Sequence, residues 1–169
     1  MIILKIILLF SVFGISTFLG YIMANKYKGR LHDLKLILSI LNIIETKMKY
    51  TYEALPQIFE DISNKYTGGI GNLFKTAKDK MKYLSAGEAW NYAICNSFTF
   101  MNEEDIKILN NLDKMLGKTD LEGQLSELEL VKKFIETQVN NAEEEKKKNE
   151  KLYRSLGMTI GLALVIVLI

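Results

Sequence analysis

The sequence predicts an all-α protein, with a compact bundle of about six helices between an N-terminal membrane anchor and a long C-terminal helix. Apolar residues recur at steps of three and four through most of the chain, and no alternating pattern bounded by turn residues indicates strands. The chain has a single proline, so few positions forbid helix. Both ends are apolar, whereas the middle is rich in charge.

This distribution of charge predicts three segments. Residues 1–24 form an N-terminal transmembrane helix, residues 25–155 a cytoplasmic helical bundle domain, and residues 156–169 a C-terminal membrane segment. All 20 acidic residues, and every Lys and Arg except Lys5, lie in the middle segment. That segment is therefore nearly neutral, which argues against a nucleic-acid-binding protein.

The N-terminal anchor is the uncharged run from Ile6 to Ala24. As a helix it spans roughly 28 Å, close to the thickness of a hydrocarbon core. A cleaved signal peptide is disfavoured, because the run lacks a good small-residue cleavage site. Gly14, Ser16, Thr17 and Gly20 could admit another helix closely, although ordinary membrane-helix composition explains them as well.

Helical periodicity and breaks place the bundle helices along the chain. Pro56 fits the first turn of a helix, and Thr67-Gly68-Gly69 is a break. Ser85 with Glu88 forms a capping-box pattern, Asn102 with Asp105 marks another start, and Gly117 is a helix C-cap. The resulting helices cover residues 34–48, 57–65, 70–84, 85–98, 102–116 and 120 onward.

The last of these helices changes character along its length. It begins with an apolar stripe, passes through the highly charged stretch 142–151, and ends in the apolar run Leu156–Ile169. That run is short, roughly 21 Å as a helix. It has no polar face, so insertion into the bilayer is expected rather than a position along its surface.

Basic residues flank both apolar runs on the side of the middle domain. By the positive-inside tendency, the domain is expected to face the cytoplasm. These flanking residues are Lys26, Lys28, Arg30, Lys146, Lys147, Lys148, Lys151 and Arg154.

The residues needed for common catalytic or metal centres are scarce. His32 is the only histidine and is expected to lie at the surface, while Cys95, the only cysteine, is expected in the core. The Gly68–Gly71 stretch lacks the Lys-Ser/Thr of a phosphate loop. No catalytic, cofactor-binding or metal-binding residue is predicted, and the protein is expected not to be an enzyme.

The aromatic residues of the middle domain are expected to be structural. Trp90, Tyr92, Phe98 and Phe100 are interpreted as core side chains rather than a binding cage.

The join between the charged stretch and the C-terminal apolar run supplies the candidate site. Lys151, Tyr153, Arg154 and Gly157 lie there. Lys and Arg reach headgroups from this position and Tyr suits the interface, so a simple membrane anchor explains them. The alternative is a docking site for another membrane protein.

Several strings, in order and spacing, resemble the stage III sporulation protein AB family of endospore-forming bacteria. The resemblance covers nearly the whole chain, except for residues 67–80. The strings are Arg30-Leu31 with Leu34, Glu45, Lys49-Tyr50, Leu55-Pro56, Glu88-Ala89-Trp90, Leu116-Gly117 with Asp120 and Gln124, and Lys151-Leu152-Tyr153-Arg154-Ser155-Leu156-Gly157.

The resemblance implies a domain similar to the cytoplasmic domains of type II secretion inner-membrane platform proteins. It also implies a place in the mother-cell membrane facing the forespore, within a secretion-like channel complex required for endospore formation. The implied partners are the lipid bilayer, the stage III AA ATPase and other stage III sporulation membrane proteins. A homo-oligomer is left open, and no cofactor is implied.

Three classes of function differ in what they require of this chain. The first is a non-enzymatic adaptor that links a cytoplasmic ATPase to membrane channel parts. The second is a membrane-anchored sensor or regulatory protein, whose domain binds a small ligand or signalling partner or transmits a signal along the long helix. A deep apolar pocket with converging polar groups would favour it. The third, an enzyme, would need a cluster of acids in a cleft.

Overall fold

The computed structural model describes residues 2–116 and 120–168, and within them it is helical without strands. The all-α prediction is therefore confirmed. α5 and α6 together cover the single helix predicted over residues 102–116, and Gly117 lies outside the described residues. The elements are α1 (Ile2–Thr46), a π-helical segment (Lys47–Thr51), α2 (Leu55–Lys65), α3 (Gly68–Lys80), α4 (Ala86–Cys95), α5 (Glu103–Asn110), α6 (Leu112–Met115) and α7 (Leu121–Leu168).

The chain divides into two compact units. The two-helix unit consists of residues up to 31 and from 141, which are parts of α1 and α7. The bundle unit consists of residues 32–140. The predicted boundaries at residues 24/25 and 155/156 concern where a bilayer would lie, and they stay predictions.

The helix starts of the bundle unit follow from local side chains. Ser85 and Glu88 form the predicted capping box on α4, and Asn102 and Asp105 form a second one on α5. In each case the two side chains satisfy backbone N–H groups that the first helical turn leaves without partners. Gly68 begins α3 with φ +81°, in the left-handed region that glycine enters without strain.

The π-helical segment that follows α1 is held to α2 by an ion-pair triad. Tyr52, with φ 53°, ends the π-helical segment. The Lys47 ammonium donates to Glu53 Oε2 at 2.6 Å and to Asp61 Oδ2 at 2.7 Å. The hydrogen bond from Lys47 lowers the pKa of Asp61, because it stabilises the ionised carboxylate.

The core of the bundle unit is aromatic at its centre. Trp90 is fully buried, and its ring lies 5.4 Å from Phe74 and 5.9 Å from Phe59, centroid to centroid. The indole Nε1 donates to the Leu109 carbonyl at 2.9 Å, which satisfies the only polar group of the side chain. Trp90 therefore packs α4 against α2, α3 and α5 at once.

Three predictions about α4 and the segment after it are wrong. The helix ends at Cys95, so Phe98 lies in a loop instead of continuing the stripe of Trp90 and Ile94. Cys95 is exposed, because the last turn of the helix presents it to solvent. Phe98 is 77% exposed and Phe100 44%, so neither is a core residue.

The core position predicted for Tyr92 is also wrong. Its side chain is 41% exposed, and the Lys80 ammonium lies 4.2 Å from its ring centroid. The exposed position predicted for His32 is confirmed.

Candidate functional site

In the two-helix unit, α1 and α7 run antiparallel and approach each other at two glycines. A Cβ built on Gly20 would lie 2.8 Å from the Gly157 Cα and 2.6 Å from the Tyr153 carbonyl oxygen. Real Cβ atoms essentially never come so close to backbone atoms. The absence of side chains at these two positions is therefore what permits the helices to touch.

A hydrogen bond and a second glycine extend this contact. The Ser16 hydroxyl donates to the Gly157 carbonyl at 2.9 Å. Four residues further along α7, Gly161 lies against Phe13 and Ser16. On α1, Ser16 and Gly20 are four residues apart, and on α7 Gly157 and Gly161 have the same spacing. This spacing places the small residues on one side of each helix, and these two sides face each other.

Aromatic and charged side chains continue the pairing beyond the glycines. The rings of Tyr27 and Tyr153 stack with centroids 5.7 Å apart. The Arg30 guanidinium, whose side chain is buried, donates to Glu145 Oε2 at 2.7 Å. Partial burial, followed by the neighbouring Tyr153, raises the pKa of Tyr27, because both disfavour the ionised phenolate.

The Arg154 side chain, on α7, contacts a residue of α1 and a residue of its own helix. Its guanidinium lies 5.4 Å from the Tyr21 ring centroid on α1, and its Nη2 is 3.1 Å from Glu150 Oε1 on α7. A cation over an aromatic face and an ion pair one helical turn away both hold this side chain beside α1.

Three of the four candidate residues thus meet α1. Tyr153, Arg154 and Gly157 contact Tyr27, Tyr21 and Gly20, whereas Lys151 is exposed. The sequence indicated that Gly20 could admit another helix, but it did not identify α7 as that helix, because the partners lie more than a hundred residues apart in the chain. The available signal was the four-residue spacing of small residues in both apolar runs.

The antiparallel register carries the C-terminal run along most of the N-terminal one. Leu162 and Val165 lie with Leu9 and Phe10 around one apolar groove. At the end of α7, Leu168 lies with Leu4 and Lys5 beside another. The short C-terminal run therefore lies along α1 from Gly20 to the Leu4–Lys5 end of that helix.

Both helices are long and apolar enough to cross a membrane. Only 6% of the most apolar 18-residue stretch in the first and 11% of that in the second is buried. The core helix of a soluble protein would be mostly buried instead. Large apolar side chains such as Phe10, Phe18 and Val167 are exposed, and exposed apolar surface of this kind is typical of contact with lipid or another protein.

Within the part of the chain that the structure describes, metal-ligating side chains do not cluster. No group of three or more His, Cys, Asp or Glu side chains there is arranged to hold an ion. The acidic residues at the candidate site, Glu145 and Glu150, are engaged with arginines.

Fold and site together define an all-α protein with two candidate membrane-spanning helices that pair through small residues. The family model of stage III sporulation protein AB matches residues 5–169, and the chain belongs to this family. Membership places it among sporulation proteins.

Two comparisons support this assignment. The stage III sporulation protein AB of Bacillus subtilis (strain 168) is 24% identical over 157 residues, which cover 90% of this chain and 92% of that protein. A solved structure of a stage III sporulation protein AB is similar in fold, with a TM-score of 0.66 and 18% identity. The alignment covers 71% of this chain and 98% of the solved one.

Replacing Arg154 with lysine tests whether this side chain only supports the contact between α1 and α7 or also docks another protein. We expect the protein to stay in the membrane fraction and spores to form at nearly the parental frequency. Lysine keeps a cation for Tyr21 and a charge for Glu150, although it loses the planar guanidinium. The measurement is sporulation efficiency together with membrane fractionation.

The matched control is Arg154→Glu, which places a like charge beside Glu150 and removes the cation from Tyr21. This variant should weaken the contact between α1 and α7 and lower sporulation efficiency in the same assay. A sporulation defect in Arg154→Lys, with the protein still in the membrane, would instead assign Arg154 to specific docking of another component.

Proposed function

We propose that this protein is a non-enzymatic, membrane-anchored adaptor. It links a cytoplasmic ATPase, the stage III AA ATPase, to membrane channel parts of the mother cell–forespore complex. The observation that carries this proposal is the glycine-paired α1–α7 contact, which presents apolar side chains outward. Membership in the stage III sporulation protein AB family supports the sporulation context.

The orientation rests on charge. Lys26 and Lys28 follow the first apolar run, and Lys147, Lys148 and Lys151 precede the second; all five are exposed. In a bilayer these ammonium groups favour the cytoplasmic side. The bundle unit would then face the cytoplasm of the mother cell, where an ATPase has access to nucleotide.

An adaptor also agrees better than a ligand sensor with the interior of the bundle unit. Its centre is occupied by the large side chains of Trp90, Phe59 and Phe74. The grooves described beside the paired helices are lined almost entirely by apolar side chains, without the converging polar groups that fix a small ligand.

Binding to oriented vesicles tests orientation and partner together. We expect the purified stage III AA ATPase to bind inverted membrane vesicles that contain the full chain and not right-side-out vesicles. In inverted vesicles the bundle unit is outside, so its surface is accessible. The measurement is ATPase that co-sediments with each preparation, with vesicles lacking this protein as the blank.

Cys95 provides the orientation control, because it is exposed and is the only cysteine. An impermeant maleimide should label it in inverted vesicles and leave it unlabelled in intact cells. Labelling in intact cells would contradict the orientation. Correctly oriented vesicles that fail to retain the ATPase would contradict the proposed partner.

A further inference from the structure

The loop between α4 and α5 presents an aromatic pair to solvent. Phe98 is 77% exposed and Phe100 44%, and their rings meet edge to face with centroids 5.5 Å apart. Two adjacent phenylalanines at the surface leave on the order of 200–300 Å² of aromatic area unburied. The area is modest, but aromatic side chains are the residue type enriched at protein–protein interfaces.

Long-range contacts hold this loop in place. The buried Asp33 of α1 accepts a hydrogen bond from the Phe100 backbone N–H, with Oδ2 at 2.8 Å. A side chain at Gly69, at the start of α3, would collide with the Phe98 carbonyl, so the loop lies directly on that helix. A loop fixed at both phenylalanines loses little conformational freedom when a partner binds.

Acidic residues accompany the pair. Glu103 and Glu104 lie in the first turn of α5, three and four residues after Phe100, and both are exposed. They favour the start of the helix through its dipole, and they place two negative charges three and four residues after Phe100 in the chain. That charge decides between two occupants, because an anionic membrane surface would repel it.

We propose that Phe98 and Phe100 form a docking site for a protein partner that offers an apolar pocket bordered by Lys or Arg. The phenylalanines fill the pocket, and Glu103 and Glu104 pair with its basic border. This proposal deepens the adaptor function proposed above and rests on it, since it assigns a surface through which the bundle unit meets a protein of the complex.

Site-specific photo-cross-linking in sporulating cells tests this surface in the full chain. A benzophenone derivative of phenylalanine replaces Phe98 in one strain. In the control strain it replaces Tyr83, which is 84% exposed and lies between α3 and α4. We expect a discrete protein adduct at position 98, at a yield about ten-fold or more above position 83, since a central aromatic anchor dominates an interface.

Two sets of variants link the adduct to the proposed chemistry. Phe100→Ser, and Glu103→Lys combined with Glu104→Lys, should each lower the adduct yield about ten-fold or more. Glu122→Lys is the matched charge control, because Glu122 is exposed in the first turn of α7 without such a pair. It should leave the yield unchanged. Phe98→Ala should lower sporulation at an unchanged protein level.

The results separate this proposal from the function on which it rests. Equal yields at positions 98 and 83, adducts with lipid, or an adduct insensitive to the glutamate reversals would overturn the docking site. ATPase binding to inverted vesicles would leave the adaptor function standing in that case. Position 98 could instead capture a protein other than the ATPase, with the expected effects of the variants. That result would support the docking site and would show that its occupant is not the ATPase.

Discussion

Replacing Trp90 with alanine is expected to lower the free energy of unfolding by about 3–5 kcal/mol, the usual loss for a large buried aromatic. The side chain is fully buried among Phe59 and Phe74, so its removal leaves a cavity where α2, α3 and α4 meet. It also removes the indole donor of the Leu109 carbonyl, a cost that adds to the lost packing.

Urea unfolding of the full chain in detergent micelles, followed by far-UV circular dichroism, measures this loss. Tyr83→Ala is the control, because it removes an exposed aromatic side chain and should change the stability by less than about 0.5 kcal/mol. A midpoint for Trp90→Ala that matches that of the parent would show that Trp90 does not support the core.

Replacing Gly20 with leucine is expected to separate α1 from α7 in the two-helix unit. The new side chain would meet the backbone of Gly157 and Tyr153 rather than the flexible end of a side chain, so the helices themselves would have to move. The Ser16–Gly157 hydrogen bond and the Tyr27–Tyr153 stacking would be lost with the close approach. We therefore expect a much larger structural effect than that of a leucine at Gly14, where a Cβ meets nothing within 4 Å.

Disulfide cross-linking measures the separation. Cysteines replace Tyr27 and Tyr153, whose rings are 5.7 Å apart, in a Cys95→Ser background. Gly20→Leu should lower oxidative cross-linking strongly. Gly14→Leu is the matched control, because a Cβ at Gly14 meets nothing within 4 Å. Equal cross-linking in the two leucine variants would show that the glycine contact does not hold the pair.

The predictions that succeeded relied on local patterns. The starts of α4 and α5 could be predicted because a capping box is complete within four residues. The two boxes are Ser85 with Glu88 and Asn102 with Asp105. Trp90 could be placed in the core because its own helix carries the apolar stripe. Phe98 could not be placed correctly, since the position of its loop depends on Asp33 and Gly69, which are distant in sequence.

At the candidate site, too, local features could be predicted and contacts between distant residues could not. The residue types at Tyr153, Arg154 and Gly157 indicated a special position at the end of the charged stretch. Their partners could not be predicted, because Gly14 and Gly20 are equally small and equally apolar in their surroundings. Only the direction that each glycine faces on α1 decides that Gly20 meets α7 and Gly14 does not.

The hydrogen bond from Ser16 to Gly157 joins residues 141 positions apart in the chain, and the Arg30–Glu145 pair joins residues 115 apart. Contacts of such high sequence separation are expected to form last during folding, because the entropy of closing a long loop opposes them. Folding of the intervening bundle removes most of that entropy before the helices meet. The two segments then associate at a raised effective concentration, so damage to the bundle should also slow pairing of the chain ends.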